Sequence, residues 1–139
     1  MRKPIGNPRG STAIEMALIL PVLVLLLFGI VEFGLLFYNQ QVITNASREA
    51  ARAGIVAGSP RVSDGEIQNV VSNYCTNHLV TFGGANDPVV EIDPSGDRTG
   101  SSFGEDLAVT VKYNYGFLVL ANFGFAPINL KAKTVMKLE

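Results

Sequence analysis

The apolar residues of this 139-residue chain are concentrated in one block near its N-terminus. Between Glu15 and Glu32 run sixteen uncharged residues, MALILPVLVLLLFGIV, and the apolar character continues as far as Tyr38. A membrane-spanning helix needs about 20 mostly apolar residues to cross a hydrocarbon core of about 30 Å. This stretch is long enough, and Pro21 is tolerated inside a membrane helix. The pattern therefore predicts a transmembrane helix over residues 11–38.

Helical spacing continues beyond the membrane segment, which predicts an extramembrane continuation of the helix over residues 39–57. Small and apolar residues recur there every three or four positions and share one face: Val42, Ala46, Ala50, Ala53 and Ala57. Ala46, Ala50 and Ala53 permit close helix packing. Their partner is either the domain of the same chain or a neighbouring subunit.

In residues 58–139 the apolar residues follow shorter helical and strand patterns, which predict a second domain. Ser63-Asp64-Gly65-Glu66 has the form of a capping box, and apolar residues then recur at helical spacing to about Leu79. Alternation of apolar and polar residues, with flanking turn residues, predicts three strands: Val89–Asp93, Asp106–Tyr115 and Asn129–Lys137. The predicted fold class is α+β, with a long N-terminal transmembrane helix continuing into a small domain of one helix and an antiparallel sheet.

An apolar segment, residues 116–128, separates the last two predicted strands and contains no charged residue. One interpretation is a buried crossing or hairpin within the domain. The other is an exposed apolar loop that contacts a membrane or a partner.

Charge predicts the orientation of the chain in the membrane. Residues 1–10 carry Arg2, Lys3 and Arg9 without an acid, and their two prolines and two glycines disfavour a stable helix. Positive flanks stay in the cytoplasm, so we expect the N-terminus inside and the domain outside. The whole chain has a net charge of -1, which gives no general attraction to nucleic acid.

Few residues offer catalytic or metal chemistry. A lone cysteine, Cys75, excludes an intramolecular disulfide, and its apolar helical setting favours a small buried side chain. His78 is the only histidine and has no second ligand at a fitting spacing. No catalytic set or phosphate-binding loop is present, so we expect no enzyme, no metal and no cofactor.

Glu15 and Glu32 are the unusual residues of the apolar block. An acid at the centre of a membrane helix costs roughly 2.5–3.5 kcal/mol. The two acids are 17 residues apart, about 25 Å along a helix. Both therefore have room to lie near opposite membrane interfaces. The alternative for each acid is contact between subunits, for Glu32 with Arg48 or Arg52 of a neighbour.

The spacing of Gly10 and Glu15 indicates a processing site directly after Gly10. A glycine, four residues, a glutamate and a long apolar helix resemble the type IV prepilin pattern. The resemblance implies that a prepilin peptidase cuts between Gly10 and Ser11 and removes the leader, residues 1–10. Glycine lets a protease approach the backbone closely. The new amine of Ser11 and the carboxylate of Glu15 would then pair between neighbouring subunits, since charges that leave water need partners.

The segment Arg9–Gly54 resembles the TadE/TadG-like family in the order and spacing of three further elements. These are the ALILP run ending at Pro21, the GIVEFG segment around Glu32 and the small-residue helix NASREAARAG. The resemblance implies a pilin-like minor pseudopilin of the tight-adherence (Flp) pilus or a related secretion system, lying in the cytoplasmic membrane or at a pilus tip. Implied partners are the prepilin peptidase, other pilin subunits, the pilus assembly platform and membrane lipid.

Departures from related pilins favour an accessory subunit. Met16 stands where Flp major pilins usually have tyrosine, and the chain is much longer than they are. Ser11 stands where other type IV pilins commonly have phenylalanine. The alternative function is an uncleaved, single-pass membrane protein with an extracytoplasmic binding or sensor domain.

Overall fold

The computed structural model describes residues 8–58, 61–81, 87–96 and 103–139. Its elements follow in this order: helix α1 (Pro8–Ile55), helix α2 (Asp64–His78), strand β1 (Val89–Asp93), strand β2 (Asp106–Tyr115), a 3₁₀ turn (Leu120–Phe123) and strand β3 (Ile128–Lys137). This arrangement confirms the predicted α+β class with a long N-terminal helix. Residues 1–7 of the leader lie outside the described residues.

Helix α1 runs without interruption for 48 residues, about 72 Å at 1.5 Å per residue. It begins at Pro8, so the expectation of no helix before residue 11 was wrong at this end. Proline at the first helical position costs little, because its missing N–H would have no partner there and its φ already fits a helix. Pro21 lies inside the helix, as the sequence required.

Helix α2 begins with the predicted capping box. The Ser63 side chain accepts a hydrogen bond from the Glu66 backbone, and the Glu66 carboxylate accepts one from the Ser63 backbone at 2.8 Å. Two amides at the helix start are thereby satisfied. Ile67, Val71 and Cys75 then form the buried face of the helix.

The sheet has the order β1-β2-β3, and both pairs are antiparallel. Strand β2 is central, with Val109 opposite Ile92 on one side and Thr134 on the other. The alternation of apolar and polar residues along β2 is typical of a half-buried strand, with one face toward solvent. Ala108 and Thr110, which lie on the more polar face, are nevertheless buried as well. A central strand is covered from both sides by its neighbours, which hides short side chains even on the outer face.

The core lies between the C-terminal half of α1, α2 and one face of the sheet. Its largest fully buried apolar side chains are Tyr115, Ile43, Ile67, Leu107 and Leu138. Helix α1 approaches this core most closely at Gly54, where an added Cβ would lie 2.6 Å from Leu107 and 2.7 Å from Ile67. The end of α1 is therefore fixed to the domain rather than projecting from it.

Candidate functional site

The N-terminal half of α1 presents apolar side chains to its surroundings. From Thr12 to Phe28 each described side chain is exposed, although the sequence there is almost entirely apolar. Among the described residues, this helix is the one that is long and apolar enough to cross a membrane. An apolar surface of this length is stable in lipid and not in water. The helix therefore anchors the chain in a membrane as a single pass.

Gly10 and Glu15 lie at the start of this exposed helix. Apart from its own helix backbone and chain neighbours, no atom of the described residues lies within 4 Å of the place where a Cβ of Gly10 would stand. Glu15 is exposed on the same continuous helix, one turn beyond residue 11. The predicted processing site and the predicted pairing acid are therefore brought within about 8 Å of each other along the axis.

Glu32 has the opposite environment, since it is 2% exposed while Val31 and Phe33 beside it are exposed. Its carboxylate accepts two consecutive backbone hydrogen bonds from the segment after β2. Leu118 N–H donates to Oε1, and Val119 N–H donates to Oε2 at 3.0 Å. Charged acceptors of this kind form strong hydrogen bonds. Glu32 thus fixes the start of the 3₁₀ turn against α1.

The contact of Glu32 lies within its own chain, which the sequence did not predict. Pairing of Glu32 with a neighbouring subunit stays a prediction, and both carboxylate oxygens already have partners. Tyr115 adjoins this region, and burial, with the Glu32 charge as the second cause, raises the pKa of its hydroxyl. An acid that caps a distant turn leaves no periodic signal in the sequence, because its partners are backbone amides of any residue type.

The apolar segment after β2 lies alongside the membrane helix. Val119, Leu120 and Phe123 line a groove together with Pro21, Val24, Leu25 and Phe28 of α1. A second groove on the same side is lined by Phe117, Phe125 and Ile128 with Leu26, Gly29 and Phe33. The segment is therefore only partly the buried crossing that was one of the two interpretations, because Phe117 is buried while Phe123 and Phe125 are exposed.

Comparison with known families agrees with this geometry. Residues 10–52 match the family model described as TadE-like protein. This segment is TadE-like. The match contains Gly10, Glu15 and Glu32, and it confirms the resemblance of this segment to the TadE/TadG-like family. No curated protein and no solved structure matches the chain.

Further polar side chains of the TadE-like helix fasten it to the domain. Asn39 is fully buried, and its amide both donates to the Val80 carbonyl at 2.7 Å and accepts from the Val80 N–H at 3.0 Å. Gln40 donates to the Lys131 carbonyl, and the Ser47 hydroxyl bonds that of Thr134 at 2.7 Å. Sequence reasoning missed these residues, although buried polar groups usually need such partners.

The small residues of the TadE-like helix pack on the domain of their own chain. Ala46 and Ala50 are completely buried in the core, whereas Ala53 is half-buried. This packing corresponds to the first of the two predicted alternatives for Ala46 and Ala50. Packing of these alanines against a neighbouring subunit stays a prediction.

Cys75 lies in the core on α2, 1% exposed. Burial raises the pKa of its thiol to about 11. The reactive thiolate is therefore scarce at neutral pH. A cysteine introduced on the surface of this chain would react selectively.

Proposed function

We propose that the chain is a minor pseudopilin, a structural subunit that assembles into or primes a tight-adherence pilus or a related secretion machine. The observation that carries this proposal is the placement of Gly10 and Glu15 at the start of a continuous, exposed, apolar helix within the TadE-like segment. The role is structural and not enzymatic. The chain would lie in the cytoplasmic membrane, with its leader inside and its domain outside.

Processing would be hydrolysis of the peptide bond between Gly10 and Ser11 by a prepilin peptidase. One water is consumed, Gly10 keeps a carboxylate on the released leader, and Ser11 gains an α-amino group. Glycine at position 10 favours this cut, because a residue without a side chain lets a protease approach the backbone closely.

The new charge gives Glu15 its function in an assembly. A protonated α-amino group at Ser11 and the carboxylate of Glu15 would meet between neighbouring subunits at the same depth in the helix bundle. Two charges removed from water need each other, and such a pair stabilises one axial register over others. Exposed apolar side chains from Thr12 to Phe28 would supply the surrounding packing.

The decisive experiment is the intact mass of the membrane-extracted chain after co-expression with a prepilin peptidase. We expect the mature form to begin at Ser11. Gly10→Leu should leave the chain at full length, while Gly34→Leu should be processed normally. Gly34 is a matched control because it also lies on α1 with no atom within 4 Å of an added Cβ.

A full-length chain in every sample would contradict the proposal. That result, together with no association with other pilins, would favour the uncleaved, tethered binding or sensor protein.

A further inference from the structure

The apolar loop, defined as residues 117–128, extends from the domain toward the N-terminal end of α1. Phe123 of this loop lines a groove together with Pro21 and Val24 of α1. Glu32, where the loop is fastened, lies 11 residues further along α1. At 1.5 Å per residue that is about 16 Å, roughly half the hydrocarbon thickness of a bilayer.

The outer surface of this loop is mostly apolar, with Asn122 as an exposed polar side chain. Phe123 and Phe125 are 62% and 57% exposed, and Leu118 and Ile128 are also exposed. From Tyr113 to Leu130 the chain has no charged residue. In water these side chains would form a costly patch beside the equally exposed helix. The patch is continuous with the surface that α1 presents to lipid.

Five backbone N–H groups of the loop donate hydrogen bonds within the protein. Leu118 and Val119 donate their N–H groups to Glu32. Asn122, Gly124 and Phe125 donate theirs to the carbonyls of Val119, Ala121 and Leu120. A polar backbone group without a partner costs several kcal/mol in an apolar environment, so these five hydrogen bonds lower the cost of placing this part of the loop beside lipid.

We propose that the apolar loop is inserted into the outer leaflet of the bilayer beside α1, with lipid acyl chains covering Phe123 and Phe125. The chain thus contacts the membrane through two segments, a spanning helix and a loop held against it by Glu32. Glu32 is a positioning residue, since it satisfies the first two amides of the loop. The inference requires only that α1 spans a membrane and is independent of cleavage after Gly10.

A spin label attached at Phe123→Cys in the full chain, reconstituted in phosphatidylcholine–phosphatidylglycerol liposomes, tests this insertion. Phe103→Cys is the matched control, because Phe103 is 85% exposed and lies beside the far end of the domain. We expect the label at 123 to lose collisions with a water-soluble nickel chelate and gain collisions with oxygen. The label at 103 should show the reverse.

Equal nickel accessibility at the two positions would overturn the proposal. Protection at 123 that disappears when the chain is diluted in lipid would also overturn it, because a second copy of the chain would then be the cover. Protection that is unchanged on dilution supports lipid as the cover.

A second comparison tests the role of Glu32. In the Phe123→Cys chain, Glu32→Gln should move the label toward water, while Glu49→Gln, which alters an exposed acid on α1, should not. Continued protection of Cys75 from alkylation shows that the domain remains folded. An unchanged label depth in a folded Glu32→Gln chain would refute the positioning role.

Discussion

Glu15 and Glu32 are both acids in the apolar part of α1, but their surroundings assign them different tasks. Glu15 is exposed on the membrane helix, where another molecule has access to it. Glu32 is buried and accepts two backbone hydrogen bonds within the chain. Both residues are glutamates of the same helix, so the difference comes from the segment after β2, which packs beside Glu32.

Replacement of Glu15 by alanine should spare cleavage and weaken assembly. The peptidase acts on the backbone after Gly10, whereas pairing between subunits needs the carboxylate. Glu15→Gln should behave like Glu15→Ala, because the amide carries no charge to meet the Ser11 amine. The measurement is the ratio of processed chain in the membrane to chain recovered with pilus components.

Glu49→Ala is the control for this change, since it removes an exposed acid from the same helix outside the membrane segment. It should leave both cleavage and incorporation unchanged. Normal incorporation of Glu15→Ala would remove the basis for charge pairing, even if cleavage after Gly10 were established.

At the scale of elements, α1 is one helix with two environments. Its first half is apolar on all sides, as expected for lipid, and its second half has one face of small and polar residues that packs on the domain. The start of helix α2 is instead stabilised by a local capping interaction. Its capping box links Ser63 and Glu66 at the start of the helix, close to neither the membrane segment nor the apolar loop.

The capping box should give the domain a pH-dependent stability at acid pH. Hydrogen bonds from the Ser63 backbone and side chain lower the pKa of Glu66 below its ordinary value of 4.5. The lowered value means that the stabilisation is present above pH 4.5 and is lost as pH falls through the folded-state pKa. Glu66→Gln should therefore lower the Tm of the domain at pH 7, and the difference should shrink below pH 4.5.

Near-UV circular dichroism of the tyrosines in detergent micelles is a suitable measurement. Ser63→Ala should destabilise the domain by about 1 kcal/mol at neutral pH, the usual cost of losing an N-cap side chain. Glu49→Gln again serves as control and should show no such pH-dependent difference. A Tm difference for Glu66→Gln that stayed constant down to pH 3 would show that the carboxylate does not act through its charge.

At the scale of the whole molecule, the domain is fastened to the C-terminal half of α1 and leaves the N-terminal half for the membrane. Contacts at Glu32, Asn39, Gln40 and Ser47 follow one another along the helix. Those contacts fasten the sheet and α2 to the half of α1 that is remote from the N-terminus. Orientation of the chain then decides which compartment contains the domain.

The leader charge predicts an extracytoplasmic domain. Phe103→Cys should react with a membrane-impermeant maleimide in intact spheroplasts, while the buried Cys75 leaves the parent chain unlabelled. Reversal of the leader charge by the combined substitutions Arg2→Glu, Lys3→Glu and Arg9→Glu should reduce this labelling, since the positive flank sets the orientation. Labelling of Phe103→Cys only after the membrane is permeabilised would show that the domain faces the cytoplasm.

The sequence by itself determined the elements that depend on local pattern. The length of the apolar block defined the membrane helix, the Ser63–Glu66 spacing defined the start of α2, and alternation gave β1 and β2 with their observed bounds. Strand β3 begins one residue earlier than predicted. The Gly10–Glu15 pattern, together with the ALILP run, the GIVEFG segment and the small-residue helix, was also sufficient to indicate the resemblance to the TadE/TadG-like family, because those features lie close together in one helix.

Only the tertiary structure decided what lies across from each residue of α1. Glu32 pairs with amides 86 and 87 residues away, and Asn39 bonds Val80 at a separation of 41 residues. The apolar loop likewise acquired its place beside Pro21 through the packing of the sheet on α1. Backbone amides have no residue-specific signature, so a side chain that binds them over such separations is recognised from the fold and not from the sequence.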